Sequence, residues 1–137
     1  MANFMAKFPA LAAIEQAPFA QLLGLTIESA GEGEAVARLP CALRLLNSGG
    51  AAAPIHGGAI ATLADFAGCA AIWTMPETLN SATVTLTLNY TGPGISSDLL
   101  AHARVRRKGR SVAHLTVEIH DDHGALVADA LIVYKIA

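Results

Sequence analysis

The run PIHGGAIATLADFAGCAA, residues 54–71, constrains the fold most strongly, because it is apolar all round a helix yet carries one carboxylate. At 100° per residue it predicts a helix over 57–73, which Met75 and Pro76 end. A helix that is apolar on every face is a buried helix. Asp65 then lies among small side chains, which leave room for another group beside it.

The rest of the chain is dominated by strand-like segments separated by turn residues. Two short helices, PALAAIEQA and PFAQLLG, come first, and a loop over 41–54 precedes the long helix. The predicted strands are LTIESA, EAVARLP, TVTLTLNY, LLAHARVRR, SVAHLTVEIH and ALVADALIVYKI. This order predicts an α+β fold, with a mainly antiparallel sheet whose apolar face the long helix covers.

Alternation within the strands predicts their two faces. In TVTLTLNY, the positions Val84, Leu86, Leu88 and Tyr90 share one face, and Thr83 lies on the other with its neighbouring threonines. The last strand is apolar on both faces, which favours a central or interface position.

Composition limits the classes of function. Of the 137 residues, 53% are hydrophobic and only 15% are charged, which predicts apolar surface buried against another subunit. The net charge of −2 does not favour a nucleic-acid partner. Cys41 and Cys69 are interpreted as free thiols, no apolar run is long enough to span a membrane, and we expect a cytoplasmic protein.

Asp65 is either a structural anchor or a reagent. It lies two turns inside the helix, so it is not a cap. Gly57 and Gly58 at the helix start leave backbone N–H groups accessible, and these donors can hold an oxygen that gains negative charge. Such donors with a carboxylate suit attack on an acyl carbon, either by the carboxylate itself or by water that it activates.

The segment HGGAIATLADFAGCAA closely resembles the signature of PaaI-like hotdog-fold acyl-CoA thioesterases, in which a carboxylate follows His-Gly-Gly nine residues after the His. His56 and Asp65 keep this spacing, and the likeness covers nearly the whole chain. The resemblance implies a single hotdog domain over 1–137, with the sheet wrapped around the central helix. It also implies an active site at a homodimer interface, a tetramer as a dimer of dimers, an acyl-CoA substrate, and no metal or redox cofactor.

The resemblance also implies roles for individual residues. Asp65 would be the nucleophile or general base, the Gly57 N–H would polarise the thioester carbonyl, and His56 would shape the helix entrance. Thr83 would orient water or the carboxylate, from the same or a neighbouring subunit. Asn47 would contact the thioester region, although the stretch from Asn47 to His56 is longer than usual, so either the loop bulges or another residue takes this role. Gly58 and Thr62 are expected along the substrate, whose acyl group would be aromatic or of medium length.

The basic run RVRRKGR, residues 104–110, has two interpretations. It is a solvated hairpin end, or it binds the phosphates of coenzyme A. The resemblance favours the second, with contacts from Arg107, Lys108, Gly109, Arg110 and Ser111. Alternation predicts that only some of these side chains face any one ligand.

Other functions have less support. HDDHG, residues 120–124, resembles an ordinary hairpin turn more than a metal site, since no third ligand is evident elsewhere. An acyl-CoA hydratase or dehydratase needs a second acid or His near Asp65, and none is evident. A non-catalytic acyl-CoA-binding module is the remaining alternative, and in it the carboxylate would be expendable.

Overall fold

The computed structural model describes residues 3–136, so Met1, Ala2 and Ala137 of the predicted domain lie outside the described residues. The helices are α1 (Asn3–Lys7), α2 (Ala10–Gln16), α3 (Pro18–Leu23) and α4 (Gly57–Ile72). The strands are β1 (Thr26–Gly31), β2 (Glu34–Leu39), β3 (Ala82–Tyr90), β4 (Leu99–Lys108), β5 (Val112–Asp121) and β6 (Leu126–Lys135). The predicted long helix and strands are confirmed, whereas α1 and a 3-10 turn at Leu43–Leu45 were not predicted.

The strands form one antiparallel sheet in the order β1-β2-β4-β5-β6-β3. The inward face of β5 is fully apolar, as its alternation predicts, with Ala113, Leu115, Val117 and Ile119 all buried. β6 lies between β5 and β3, so it has a strand on each side, although Leu131 on the face opposite the helix is 61% exposed. The α+β class, with a long helix packed on the sheet, is confirmed.

Helix α4 buries most of its surface against the sheet. The predicted core face, which includes Ile60, Ala64 and Ala71, is buried. A narrow stripe stays partly exposed and contains Ala61, Thr62, Asp65 and Cys69. Asp65 is therefore half-buried rather than enclosed.

Ile72 follows Asp65 by two turns on the same side of the helix, but it is 0% exposed. The chain after α4 folds back over the last turn of the helix. The Thr78 hydroxyl donates to the Ile72 carbonyl at 3.0 Å, which holds this cover in place.

Strand β3 forms one edge of the sheet, and this changes the predicted exposure of its side chains. The predicted apolar face is only partly buried: Leu86 and Leu88 pack against the core, but Val84 is 59% exposed and Tyr90 is also exposed. A β-bulge lies between Thr83 and Thr85.

The bulge also overturns the predicted orientation of Thr83. Thr83 pairs with Tyr134, and Leu86 pairs with Ile132, both of which are buried on the helix side of the sheet. Because an extra residue in a bulge shifts the alternation by one, Thr83 faces α4 together with Leu86 instead of opposing it.

None of the helices within residues 3–136 has both the length and the apolar character needed to cross a membrane.

Candidate active site

The Asp65 carboxylate is held at one of its two oxygens. Its Oδ1 accepts a 2.8 Å hydrogen bond from the Thr83 hydroxyl and lies 2.7 Å from the donating Tyr134 hydroxyl. Among the described residues, no donor contacts the second oxygen, Oδ2. Thr83 and Asp65 belong to the same chain, so their contact requires no neighbouring subunit. The carboxylate therefore has one fixed oxygen and one free oxygen on the exposed stripe of α4.

Tyr134 reaches Asp65 from the far end of β6. Its side chain is 2% exposed, and its hydroxyl also lies 2.7 Å from the main-chain oxygen of Asp65. Gly68 makes this approach possible, because a Cβ there would lie 2.9 Å from the Tyr134 hydroxyl oxygen. Burial, together with the nearby Asp65 charge, raises the pKa of Tyr134 far above its usual range, so the phenol stays protonated as a donor.

The start of α4 leaves one backbone donor free. The His56 side chain caps the helix, since its Nδ1 accepts the Gly58 N–H at 2.8 Å. The His56 carbonyl accepts the N–H groups of Ala59 and Ile60 at 3.0 and 3.2 Å. Within residues 3–136, no acceptor contacts the Gly57 N–H. The glycines were expected to leave backbone N–H groups accessible at the helix start. Of these groups, the Gly57 N–H is available to a ligand.

Tyr90, at the end of β3, anchors the same helix turn. Its hydroxyl donates to the Gly57 carbonyl at 2.6 Å, and a Cβ at position 57 would lie 3.1 Å from that hydroxyl oxygen. Glycine at this position therefore permits the strand end to pack closely against the helix start.

The free N–H and the carboxylate are far apart within one chain. Eight residues separate Gly57 from Asp65, which at 1.5 Å per residue is about 12 Å along the helix axis. A single thioester group is much smaller than this distance. One copy of the chain therefore cannot place both groups on the same acyl carbon.

The loop before the helix bulges, which was one of the two alternatives left open for Asn47. The Asn47 N–H donates to the Pro54 carbonyl at 2.9 Å, and the His56 N–H donates to the Leu45 carbonyl at 2.7 Å. Residues 48–53 form an excursion between these contacts. Asn47 thus lies beside the segment that leads into His-Gly-Gly, despite the long spacing in sequence. Its side chain is exposed.

Comparison with known proteins now adds to this geometry. The family model described as "Thioesterase superfamily" matches residues 54–128, which is more than half of the chain. The chain belongs to this superfamily.

Relatives agree with this assignment. A protein from Halobacterium salinarum, whose name gives esterase as an inferred activity, is 36% identical over 100 residues. That match covers 71% of this chain and 66% of the relative, just under two thirds of its length. The PaaI protein from the phenylacetic acid degradation operon of E. coli has 26% identity and a TM-score of 0.82, over 100% of this chain and 96% of that one.

Zebrafish thioesterase superfamily member 2 has 25% identity and a TM-score of 0.84 over the full length of both chains. Together with PaaI, this structure has the same arrangement of sheet and helix. The hotdog fold and the resemblance to PaaI-like thioesterases are therefore confirmed for this superfamily member.

In this thioesterase-superfamily chain, the basic hairpin end lies at the same end of the sheet as Asp65. Strand pairing places Lys108, Ala113, Tyr134 and Thr83 in one row across four neighbouring strands. Paired residues point to the same face, so Lys108 faces the helix side. Arg107 pairs with His114 and faces the opposite side.

The turn itself is formed by three of the predicted residues. The Gly109 N–H donates to the Val112 carbonyl, the Ser111 carbonyl accepts from Ile136, and Arg110 is exposed at the tip. The side chains of this run thus point in different directions, as alternation predicts. Of the neighbouring residues Arg107 and Lys108, only Lys108 faces the side of the sheet that carries Asp65.

The remaining predicted residues lie along the exposed stripe of α4. The Thr62 hydroxyl donates to the Gly58 carbonyl at 2.9 Å, and the Gly58 N–H is already used by His56. Gly58 therefore offers no free donor, and a Cβ there would lie 3.0 Å from Nδ1 of His56.

Cys69 follows Asp65 by one turn. Burial raises the pKa of its thiol, and the charge of Asp65 adds to this effect. The Trp73 indole N–H donates to the Ser81 hydroxyl at 2.9 Å, which fixes the indole beyond Cys69.

The HDDHG segment forms a turn. The Asp121 carboxylate accepts N–H groups from His123 and Ala125 at 2.9 Å, and the Ala125 N–H does most to lower the pKa of Asp121. Within residues 3–136, no group of three or more His, Cys, Asp or Glu side chains is arranged to hold a metal ion.

Sequence reasoning missed Tyr134 and Tyr90. Each lies at or next to the end of a strand, and each donates to a polar atom of α4. The available signal was that a buried tyrosine needs a partner for its hydroxyl, and that Gly68 lies within the helix, well beyond the two glycines at its start.

Proposed function

We propose that this chain is an acyl-CoA thioesterase, which hydrolyses the thioester bond of a coenzyme A conjugate. One observation carries the proposal: the Asp65 carboxylate is fixed at Oδ1 by two hydroxyls and presents a free Oδ2 on the exposed stripe of a helix. Membership of the thioesterase superfamily supports it. A carboxylate held in this way is suited to nucleophilic or general-base chemistry.

The reaction proceeds by one of two routes. Either Oδ2 attacks the acyl carbon and expels the coenzyme A thiolate, and water then hydrolyses the resulting anhydride. Or Oδ2 removes a proton from water, the hydroxide attacks, and the proton passes to the departing thiolate. In both routes the Gly57 N–H donates to the carbonyl oxygen as it gains negative charge.

The active unit is a homodimer. Because Gly57 and Asp65 of one copy are about 12 Å apart along the helix, the N–H that meets a given Asp65 comes from the partner subunit. An antiparallel approach of two α4 stripes brings the two groups together. Such a pair forms two equivalent sites related by twofold symmetry.

The free edge at β3 supports this assembly. β3 has one neighbour in the sheet, and its bulged residue Val84 is 59% exposed. An edge strand with exposed apolar side chains is a template for pairing with a second copy. Two sheets joined there would form one continuous sheet with both helices on the same side. A dimer of such dimers gives the tetramer that the resemblance implies.

The basic turn contributes to substrate binding, chiefly through Lys108. It lies in the same row as Tyr134 and Thr83, about three strand spacings, or 14 Å, from Thr83. This separation allows a phosphate group of coenzyme A to contact Lys108 while the thioester lies at Asp65. Small residues on the stripe, including Ala61 and Cys69, leave space for an aromatic or medium-length acyl group.

The decisive experiment measures thiol release with a chromogenic reagent against a panel of acyl-CoAs. Turnover that yields free coenzyme A and the free acid supports the proposal. Binding of acyl-CoA without turnover identifies a binding module instead. Hydration or dehydration of an enoyl or hydroxyacyl substrate, with the thioester intact, identifies the third class.

A further inference from the structure

We propose that Tyr134 is a positioning residue that sets the rotamer of the Asp65 carboxylate, and this inference rests on the proposed function of Asp65. The two residues are 69 positions apart in the chain, yet the Tyr134 hydroxyl lies 2.7 Å from both Oδ1 and the main-chain oxygen of Asp65. A single phenol oxygen thus lies against the side chain and the backbone of the same residue.

The backbone contact makes the geometry rigid. The Asp65 carbonyl belongs to the middle of α4, so its position is fixed by the helix. The Tyr134 ring is 2% exposed and packed in the core, so the phenol cannot swing away. Because the hydroxyl touches both atoms, the Asp65 side chain is restricted to the rotamer that brings Oδ1 next to its own carbonyl.

Thr83 and Tyr134 have different parts in this arrangement. Both donate to Oδ1, which directs Oδ2 outward along the stripe where substrate binds. Within one copy of the chain, Thr83 belongs to an edge strand, whereas Tyr134 belongs to a strand with a neighbour on each side. The position of Tyr134 is therefore fixed within its own chain, whereas that of Thr83 also depends on the copy that pairs with β3.

Gly68 supplies independent evidence for the same constraint. A Cβ at this position would lie 2.9 Å from the Tyr134 hydroxyl and 3.1 Å from Ile132. An alanine would normally stabilise a helix interior relative to glycine. Glycine at position 68 keeps open the space through which the hydroxyl reaches Asp65.

The test combines kinetics with crystal structures. Tyr134→Phe removes the hydroxyl and keeps the ring. We expect kcat for thioester hydrolysis to fall by about tenfold with KM within about twofold, because a hydrogen bond to the reactive carboxylate is lost. Gly68→Ala displaces the same hydroxyl without altering the tyrosine, and it should reproduce this pattern. Crystal structures of both variants should show Asp65 in more than one rotamer.

The matched control is Thr74→Val. Thr74 is buried at the other end of α4, accepts the Gly33 N–H and donates to the Ala71 carbonyl. Its loss removes a buried hydroxyl with two hydrogen-bond partners, so we expect a lower Tm and an unchanged kcat. If Tyr134→Phe lowers Tm like this control and also keeps the wild-type kcat and a single Asp65 rotamer, the positioning role is overturned.

Failure of the proposed function gives a separate result. If the wild-type protein and all variants release no thiol from any acyl-CoA, the thioesterase assignment fails. The positioning role of Tyr134 is then tested by the crystal structures alone. More than one Asp65 rotamer in Tyr134→Phe and Gly68→Ala supports this role, and an unchanged single rotamer in both variants overturns it.

Discussion

Thr83 donates a 2.8 Å hydrogen bond to Oδ1 of Asp65, and it does so because a β-bulge turns its side chain toward the helix. Without the bulge, the alternation of β3 would direct this hydroxyl to the opposite face of the sheet. The contact joins an edge strand to the partly exposed stripe of α4.

Replacing Asp65 with Asn should abolish most hydrolysis while leaving the fold intact. The amide oxygen still accepts hydrogen bonds from Thr83 and Tyr134, but the side chain can neither attack nor remove a proton. We expect kcat to fall by about a hundredfold or more. Thiol release and thermal unfolding measure the two effects. Near-normal turnover by the purified variant would exclude Asp65 as nucleophile or base.

The contribution of Thr83 to activity should depend on its hydroxyl rather than on the shape of its side chain. Thr83→Val keeps the volume and removes the donor, so kcat should fall several-fold because Oδ1 loses one of its two partners. Thr83→Ser keeps the donor and should retain most of the activity. Steady-state kinetics of both variants test this expectation, and equal loss in both would assign the effect to packing of the edge strand.

Mixed dimers should recover activity if each site takes Asp65 from one copy and Gly57 from its partner. Gly57→Pro removes the N–H at the first helical position, where the backbone suits proline, although the Tyr90 side chain must shift slightly because the added Cβ would lie 3.1 Å from its hydroxyl. This variant should be inactive alone, as should Asp65→Asn. After the two are unfolded together and refolded, half of the dimers are hybrids with one intact site. About a quarter of the wild-type activity should return.

Each variant refolded separately and then assayed in a simple mixture provides the control for this experiment. Native mass spectrometry verifies that hybrids form, because the two variants differ in mass and the hybrid has an intermediate value. Hybrids that form and remain inactive would show that both groups act within one chain. Activity of Gly57→Pro alone would show that the Gly57 N–H has no part in the reaction.

Lys108 should matter more than Arg107 for coenzyme A substrates. Lys108 faces the helix side of the sheet in the row of Thr83, whereas Arg107 faces the other side. Lys108→Ala should therefore raise KM for acyl-CoA by more than Arg107→Ala does, with little change in kcat. A thioester of N-acetylcysteamine lacks the nucleotide, so its KM should not respond. If Lys108→Ala raises KM equally for acyl-CoA and for the N-acetylcysteamine thioester, Lys108 does not contact a phosphate of coenzyme A.

The two cysteines should react at different rates with iodoacetamide. Burial raises the pKa of the Cys69 thiol above its ordinary 9.0, so little thiolate is present at neutral pH, whereas Cys41 is exposed. Mass spectrometry should find Cys41 modified first. The rate at Cys69 should still be rising above about pH 9, because its thiol loses the proton later. Equal rates in the folded protein at neutral pH would contradict this environment, and guanidinium-unfolded protein supplies the reference.

Local pattern was sufficient to predict several elements of the fold and site. The buried helix, its lone carboxylate, the glycines at its start and the six strands could all be recognised, since helical and strand periodicities are properties of neighbouring residues. The capping role of His56 was less visible, because histidine side chains serve many purposes, and only the 2.8 Å contact with the Gly58 N–H identifies this one.

The sequence by itself determined which residues belong to the helix, that the helix is apolar on every side and where its single carboxylate lies. The tertiary structure decided what that carboxylate touches. The bulge that turns Thr83 inward depends on how β3 pairs with β6, and the Tyr134 contact joins residues 69 positions apart. Strand register and sheet order arise from pairing between distant segments, so no periodicity within one segment specifies them.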